Sequence, residues 1–425
     1  MIQTLRNAWR IEEIRKKILF TLLIVLLYRI GNAIPVPFVN TALLQQYFSY
    51  LQNTALGLLD AMSGGSFSNA TIFALSIQPY INASIIIQLL CIAIPALERM
   101  SKEEGEEGRK KIASITRYST VAIGLLQGFG YYMLMKNNGI IVADAASSVW
   151  AAIVIILTFT SGSALIMWLG EQITEFGVGN GISIILFASI ISRFPNSVIT
   201  TIQNVINGSL SWWAAVLVFL GALALIVLIV FVNDAERRIP VQYAKRVVGR
   251  KMYGGQSTHL PMKVNMSGVM PIIFASSISS IPATIAAFTG HSDSAWAKTN
   301  TIPYAIIYLL LIIFFAYFYS TIQFNPIEVA NNLKKNGGYI PGFRPGKPTS
   351  EFIQRVLNKI TLFGAIYLGI IAVTPILISH FSNAAALTGL SLGGTSIIIV
   401  VGVALETVRA IEAQMLMRNY KGFLS

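Results

Sequence analysis

Ten long runs of apolar residues alternate with more polar segments along the chain. About 20 apolar residues in an α-helix cross the hydrocarbon core of a membrane. The apolar residues are continuous within each run, whereas the strands of an outer-membrane barrel alternate apolar and polar positions. The pattern therefore predicts an all-α polytopic membrane protein with ten transmembrane helices, near residues 18–36, 71–97, 112–135, 149–170, 181–203, 213–233, 268–289, 303–323, 360–380 and 395–414.

The composition supports the membrane interpretation. Of 425 residues, 54% are hydrophobic and 12% are charged, whereas an average soluble domain has roughly 25% charged residues. So little polar surface excludes a water-soluble enzyme and a disordered or fibrous chain. The single cysteine, Cys91, excludes an internal disulfide and a cysteine-based metal cluster.

The basic residues predict the orientation, because cytoplasmic segments of membrane proteins are enriched in Lys and Arg. Most of the 31 Lys and Arg residues lie in segments on the side that holds both termini, whereas the opposite side carries Lys136, Arg193 and Lys298. Residues 1–17 and 415–425 are therefore expected to be cytoplasmic.

Two cytoplasmic connections, residues 234–267 and 324–359, are long, basic and rich in Gly and Pro. Neither shows an evident helix or strand pattern, and long loops of this kind usually carry function. They are either topogenic charges alone or a docking surface for a large acidic partner. Their length favours the docking surface.

Ten spans divide into two sets of five, and an odd number of spans gives the two sets opposite orientations. Inverted repeats place the working site at their interface. Pro79-Tyr80-Ile81-Asn82-Ala83-Ser84 of the second span shares four positions with Pro271-Ile272-Ile273-Phe274-Ala275-Ser276 of the seventh. A proline inside a helix removes a hydrogen bond and small residues permit separable contact, so these two helices are expected to part. The predicted organisation is a first half at 18–203, an external hinge at 204–212 and a second half at 213–414.

The segment between the first two spans, residues 37–70, contains no Lys or Arg. Within it, residues 56–62 are apolar but too short to cross a membrane, and a Ser-Gly-Gly-Ser breaker follows at 63–66. This piece is either an interfacial helix or a re-entrant element buried within the protein.

The sequence lacks motifs of catalysis and ion coupling. No metalloprotease, phosphate-loop or intramembrane aspartyl-protease motif occurs, and the three histidines have no metal-ligand spacing. The middles of the spans hold almost no ionisable residue, which argues against an ion-coupled symporter. Glu406, Arg409 and Glu412, in the cytoplasmic half of the tenth span, are expected to form a network on one helix face. Any work done across the membrane therefore needs energy from a partner.

Several motifs, taken in order along the chain, are shared with one known family. They are Arg29-Ile30-Gly31, Ile34-Pro35-Val36-Pro37, residues 73–88, residues 168–175, Gly179-Asn180-Gly181-Ile182-Ser183, Arg238-Ile239-Pro240-Val241-Gln242-Tyr243, residues 256–265 and Ile340-Pro341-Gly342-Phe343-Arg344-Pro345-Gly346. Along essentially its whole length the chain resembles the SecY family, the central channel subunits of bacterial protein export. One departure is Ser76, where many members have Gly, and its expected consequence is limited to helix packing.

The resemblance implies two five-helix halves that hinge around an hourglass pore. It implies an aliphatic constriction ring formed by Ile77, Ile81, Ile182, Leu186, Ile273 and Ile399. Such a ring opposes ion flow by excluding water and makes no directional bonds to a passing peptide. For any one of these residues, ordinary core or lipid-facing packing is the alternative.

The resemblance also implies three further sites. A short plug helix within 56–67 lies beneath the ring, with residues Leu56, Gly57, Leu58, Leu59, Asp60, Ala61, Met62, Ser63, Gly64 and Gly65. A lateral gate between the second and seventh spans has residues Pro79, Asn82, Ala83, Ser84, Pro271, Ala275, Ser276 and Ser277. The docking surface for the motor or the ribosome has residues Arg237, Arg238, Lys245, Arg246, Arg250, Lys251, Arg344 and Lys347.

The activity that the resemblance implies is a passive, gated channel in the bacterial plasma membrane. It carries unfolded secretory polypeptides and releases hydrophobic segments into lipid, and its energy comes from the SecA ATPase or the ribosome. Expected partners are SecE, commonly SecG, signal sequences and membrane lipid, and no catalytic residue or cofactor is expected. The alternatives are an inverted-repeat secondary transporter of a small solute and a membrane-embedded scaffold.

Overall fold

A computed structural model describes residues 2–50, 55–102, 104–142, 148–208, 211–243, 246–248, 251–253, 257–288, 301–381 and 394–421. Most of these residues are helical. The helices, in chain order, are α1 (Ile2–Arg10), α2 (Glu12–Gly31), α3 (Thr41–Tyr50), α4 (Ala55–Met62), α5 (Gln78–Ala93), α6 (Pro95–Lys102), α7 (Gly105–Asn137), α8 (Val149–Phe176), α9 (Gly181–Ile206), α10 (Trp212–Asp234), α11 (Met270–Phe288), α12 (Ile302–Gln323), α13 (Pro326–Lys335), α14 (Lys347–Phe381) and α15 (Gly394–Lys421).

A helix covers each of the ten predicted spans, at least in part. Among the described residues, five helices are long and apolar enough to cross a membrane, namely α8, α9, α10, α14 and the helix that begins at Ile302. The pair α5 and α6, bent by 106°, counts as a sixth if it forms one span. The number of ten crossings stays a prediction.

The second predicted span differs from the structure at both ends. Residues 63–76 form turns and a single bridge position, so the helix begins at Gln78 instead of near residue 71. It ends before Ile94, whose backbone is extended (φ −108°, ψ 113°). Pro95 explains this end, because the residue before a proline is driven out of the helical region.

The long basic connections contain regular structure, so the expectation of loops without helix or strand is wrong. Four strands lie in the first connection and one in the second. They are β1 (Glu236–Tyr243), β2 (Arg246–Val248), β3 (Lys251–Tyr253), β4 (Ser257–Lys263) and β5 (Gly338–Tyr339). The sequence pattern does not indicate the strands because β1 alternates over only a few positions, with Ile239 and Val241 buried and their neighbours exposed.

The sheet joins the two basic connections. β1 pairs antiparallel with β4, with Ile239 opposite Leu260, and its other edge pairs with β5 through Gln242 and Tyr339. Buried side chains from both connections and from α14 form one apolar cluster beneath the sheet, consisting of Ile239, Val241, Met262, Ile340, Ile353 and Leu357. We call this unit (β1, β4, β5, α13 and the first three turns of α14) the basic body.

The largest apolar cluster lies where the long helices meet. It takes buried residues from α2, α4, α5, α8, α9, α10, α11, α12, α14 and α15. A second cluster packs α3 and α4 against α7 and α8, with Phe67 stacked on Tyr131 at 4.1 Å between ring centroids. The short helix α4 thus contributes to both clusters, through Leu56 to the second and Met62 to the first.

Candidate functional site

The six predicted ring residues come together in the largest apolar cluster. Ile77 is the N-cap of α5 and Ile81 lies in its first turn, while Leu186, Ile273 and Ile399 come from α9, α11 and α15. These five side chains are at most 3% exposed, and the partly buried Ile182 packs against the cluster. The alternative that these five side chains face lipid is therefore wrong, and their role as a constriction stays a prediction.

The start of α9 explains how two of these residues reach the centre. Asn180 caps the helix, since its Oδ1 accepts hydrogen bonds from the backbone N–H groups of Ile182 (3.0 Å) and Ser183 (3.4 Å). Ile182 and Leu186, four residues apart, then lie on one helix face. A Cβ on Gly181 would meet the Gly170 carbonyl oxygen at 1.9 Å, so glycine allows α9 to begin directly against α8.

The segment predicted as a plug is folded into the protein. Its side chains at Leu56, Met62 and Ser63 are buried, which favours the re-entrant alternative over an interfacial helix. Leu58 contributes backbone to α4, but its side chain lies outside the described residues. Whether α4 moves during transport stays a prediction.

A buried carboxylate holds the end of α4 in place. Asp60, 6% exposed, forms an ion pair with Arg193 of α9. Its Oδ1 also accepts a hydrogen bond from the backbone N–H of Ser68 at 2.7 Å. Sequence reasoning assigned no role to Arg193, although a cation on a side of the membrane with few cations was a usable signal.

Two glycines shape the turn that follows α4. Gly64 and Gly65 have φ values of +71° and +86°, which glycine adopts without steric cost. A Cβ on Gly64 would lie 2.7 Å from the carbonyl oxygen of Ser189 in α9. The Ser-Gly-Gly-Ser segment at 63–66, predicted to interrupt the helix, is therefore a tight turn packed against α9.

Ser76 lies just before α5 in a left-handed conformation, with φ of +51°. Its side chain is buried, and its Oγ has no hydrogen-bond partner in the structure. The expectation that Ser76 affects only helix packing is wrong, because the residue precedes the helix and its backbone conformation is one that a glycine adopts more easily.

The two prolines of the sequence pattern shared by the second and seventh spans lie at helix starts. Pro79 is in the first turn of α5, and Pro271 is the second residue of α11. The expectation that they weaken the helix interior is wrong, because a backbone N–H in the first turn has no helical acceptor to lose. The shared pattern instead lies at the equivalent start of each of the two helices, and a predicted ring residue, Ile81 or Ile273, follows each proline.

The predicted gate residues lie in the first turns of α5 and α11. Pro79, Asn82, Ala83, Pro271, Ala275, Ser276 and Ser277 are buried and Ser84 is half-buried. Among the described side chains, one hydrogen bond crosses between the helices, as the Ser277 Oγ donates to the Oε1 of Gln78 at 3.2 Å. The hydroxyl of Ser276 donates to the Ile273 carbonyl on its own helix. Gln78 had no assigned role, although a polar residue within an apolar run was visible in the sequence.

Four predicted docking residues, Arg237, Arg238, Arg344 and Lys347, are exposed on the basic body. Arg238 pairs with Glu236 at 2.6 Å. Of the others, Arg246 and Lys251 are described only as backbone positions of β2 and β3, and Lys245 and Arg250 lie outside the described residues. A groove of about 340 Å³ beside β1 is lined by Arg237, Arg238, Ile239, Pro240, Phe352, Val356, Lys359 and Ile360.

A polar cluster joins the basic body to the helices. Arg409 of α15 donates to Asp234 Oδ1 at 2.5 Å and to the Asn233 carbonyl at 2.9 Å. The Asn265 side chain donates to Asn233 Oδ1 at 2.9 Å. Arg409, one of the three residues expected to form a network on one face of the tenth span, therefore contacts the end of α10. A network of Glu406, Arg409 and Glu412 with one another stays a prediction.

These features define a class of protein. A bundle of apolar helices that meet in one buried aliphatic cluster, with a short buried helix packed into it, is the architecture of a polytopic α-helical membrane protein. The family model described as SecY matches residues 71–408. The protein translocase subunit SecY of Streptomyces scabiei is 45% identical, and the match covers 100% of both chains. The chain belongs to the SecY family.

Two solved structures are similar in fold. One is described as a protein conducting channel, with a TM-score of 0.67, 17% identity and coverage of 95% of this chain and 93% of that chain. The other is of the SecY protein, whose plug domain is described as stabilising the closed state of the translocation channel and maintaining a membrane seal. It has a TM-score of 0.65 and 16% identity and covers 95% and 92% of the two chains. At these identities the likeness supports the fold.

Proposed function

We propose that the chain is a protein-conducting channel that moves unfolded secretory polypeptides across the bacterial plasma membrane and releases hydrophobic segments laterally into lipid. The observation that carries the proposal is that five buried aliphatic side chains, contributed by four helices, lie in the same apolar cluster as Met62 of a short buried helix. Family membership supports the same function.

In this proposal the ring of Ile77, Ile81, Ile182, Leu186, Ile273 and Ile399 is the constriction. Aliphatic side chains exclude water from a narrow passage, and a dewetted passage blocks ions. The same side chains donate and accept no hydrogen bonds, so a passing backbone finds no partner that would hold it. The ring therefore seals the idle channel and yields to a translocating chain.

The short helix α4 acts as the plug, and the ion pair of Asp60 with Arg193 retains it. Helices α5 and α11 form the lateral gate between a first half at 18–203 and a second half at 213–414, joined outside the cell at 204–212. Because a single hydrogen bond crosses between the described side chains of α5 and α11, a signal sequence that enters between them breaks few polar contacts.

The chain itself supplies no catalytic residue or cofactor in this proposal, and the energy comes from partners. The basic body, on the cytoplasmic side with both termini, receives the SecA motor or the ribosome through cations such as Arg344 and Lys347. SecE and SecG complete the complex in the membrane. Attraction between exposed cations and an acidic partner increases the association rate.

A crosslinking experiment with a stalled secretory chain tests the function. A photoreactive amino acid at Ile81 is expected to crosslink to the stalled chain during motor-driven transport into proteoliposomes. Ile86 of the same helix, 45% exposed, is the matched control and is expected to crosslink to lipid. Crosslinks to the chain from Ile86 but not from Ile81, or solute uptake driven by an ion gradient without polypeptide import, would contradict the proposal.

A further inference from the structure

One amide side chain at the centre contacts two moving parts of the proposed channel. Gln78 is the first residue of α5 and is 8% exposed. Its Oε1 accepts a hydrogen bond from Ser277 Oγ of α11 at 3.2 Å. Its Nε2 donates to Met62 Sδ of α4 at 3.6 Å. A polar group within an aliphatic cluster thus joins three helices.

The two bonds are made by opposite ends of one planar group. A buried amide needs hydrogen-bond partners, since burial without them is costly. The bond from Ser277 fixes the direction of the carbonyl end, and the planar amide then directs its N–H groups toward Met62. Loss of the bond from Ser277 frees the amide to rotate, so the contact with α4 weakens as well.

The position of Gln78 in the chain strengthens this link. The residue lies between the predicted ring residues Ile77 and Ile81, at the point where the turns after α4 enter α5. A change in the angle of α5 therefore moves the amide, the ring and the attachment of the α4 segment together. Separate hydrogen-bonded pairs for plug and gate would not have this property.

We propose that Gln78 couples the plug to the lateral gate, so that separation of α5 from α11 loosens α4 and displacement of α4 loosens the gate. The proposal rests on the function given above and adds the residue that links its two movements. Gln78 is a positioning residue: it acts through Ser277 on one side and Met62 on the other. Breaking either bond is expected to affect both movements.

The test uses variants that remove one bond each and measures both movements. Ser277→Ala removes the donor to Gln78, and Met62→Leu removes the sulfur acceptor with little change in volume. The plug readout is the ion conductance of idle proteoliposomes, and the gate readout is the least hydrophobic signal sequence still exported in a graded series. Ser277→Ala is expected to raise idle conductance roughly two- to tenfold, the range for loss of one neutral hydrogen bond. Met62→Leu is expected to shift the signal threshold toward less hydrophobic sequences.

Two further variants separate coupling from general destabilisation. Thr120→Val removes a buried hydroxyl that donates to the Thr116 carbonyl of its own helix, α7, at 2.7 Å, and is expected to leave idle conductance unchanged. Ser277→Thr keeps a hydroxyl at the same position and is expected to restore both readouts. Gln78→Leu removes both hydrogen bonds. It is expected to change conductance and signal threshold no more than the stronger single variant does, because both bonds are made by the same side chain.

Independent effects would overturn the coupling. If Ser277→Ala changes the signal threshold alone and Met62→Leu changes conductance alone, Gln78 does not link the two movements. Failure of the unaltered channel to import polypeptide would instead contradict the proposed function. The conductance of Ser277→Ala against Thr120→Val decides the coupling in either case, since that measurement needs no substrate.

Discussion

The centre of the molecule and the basic body are both packed around aliphatic side chains, but they are held together differently. At the centre, apolar contacts join many separate helices, and few hydrogen bonds cross between them, such as Tyr28 to Ser189 at 2.6 Å. In the basic body, a backbone ladder runs from Glu236 opposite Lys263 to Gln242 opposite Ser257. Apolar side-chain contacts are non-directional and reform after sliding, whereas a strand register is strongly specified.

Positive φ values at non-glycine residues, which indicate backbone strain, also differ between the two regions. Among the described residues, the non-glycine positions with positive φ are Phe38, Ala70 and Ser76. All three lie between α2 and α5, and none lies in the basic body. The comparison teaches that the region proposed to open contains strained backbone positions, and that its helices are held to one another mainly by apolar contacts. The region proposed to receive a partner is instead joined by a regular ladder of backbone hydrogen bonds.

The largest expected difference comes from the same truncation in the two regions. Ile273→Ala and Ile353→Ala each remove a fully buried isoleucine side chain, and each is expected to lower the free energy of unfolding by about 2–5 kcal/mol. Idle ion conductance is expected to rise with Ile273→Ala and to stay unchanged with Ile353→Ala. Equal conductance of the two variants would show that the ring is ordinary core.

The second expected effect concerns the ion pair that retains α4. Asp60→Asn removes the charge opposite Arg193 while keeping an acceptor for Ser68. We expect a loss of about 1–2 kcal/mol, below the value for a fully buried pair because Arg193 is partly exposed, together with higher idle conductance. Glu12→Gln breaks the exposed pair of Glu12 with Lys16 and is the control, with an expected change within about 0.5 kcal/mol. An unchanged conductance for Asp60→Asn would contradict the proposal that this ion pair retains α4.

A smaller effect is expected at the strained position before α5. Ser76→Gly is expected to stabilise the closed state by up to about 1 kcal/mol, because glycine adopts the left-handed conformation without the cost of a Cβ. Idle conductance is expected to fall or stay at its basal level. Gly64→Ala tests the opposite sign, since its added Cβ meets the Ser189 carbonyl, and a neutral result there would contradict the tight packing of α4 against α9.

The smallest expected effect is a pH dependence at the edge of the basic body. Burial, and secondly the charge of Arg409, lower the pKa of Lys263 from its ordinary value of 10.5, while Glu406, Asp234 and Glu236 oppose the shift. The unfolded chain then holds this proton more tightly, so stability is expected to rise as pH increases from the lowered pKa toward 10.5. Lys263→Met is expected to remove this rise in thermal unfolding experiments.

Lys111 of α7 provides the control with the opposite sign. Hydrogen bonds to Glu104 and Glu107 raise the pKa of Lys111 above 10.5, so its contribution is present below 10.5 and is lost as pH increases through the raised pKa. Lys111→Met is therefore expected to remove a decrease in stability at alkaline pH. The same pH dependence in both variants would contradict the assignment to these local environments.

Much of the fold could be predicted from residue patterns alone, because a membrane imposes one requirement on every spanning helix, a long apolar run. The strands of the basic body were missed because β1 alternates over only a few positions, Ile239 and Val241. The prolines at 79 and 271 were placed inside helices, because apolar residues preceding a helix in turns look the same as residues within it. For Ser76, no local pattern reveals a positive φ.

Long apolar runs and composition by themselves determined that this is a membrane protein with two basic connections, and its motifs determined its family, which the comparisons confirm. These properties depend on residues near one another in the chain. The tertiary structure alone decided that α4 is buried, that Asp60 meets Arg193, and that Gln78 lies between Ser277 and Met62. Each of these depends on contacts between residues that are distant in sequence and that helix packing brings within a few ångströms. An apolar run does not indicate which other helix will pack against it.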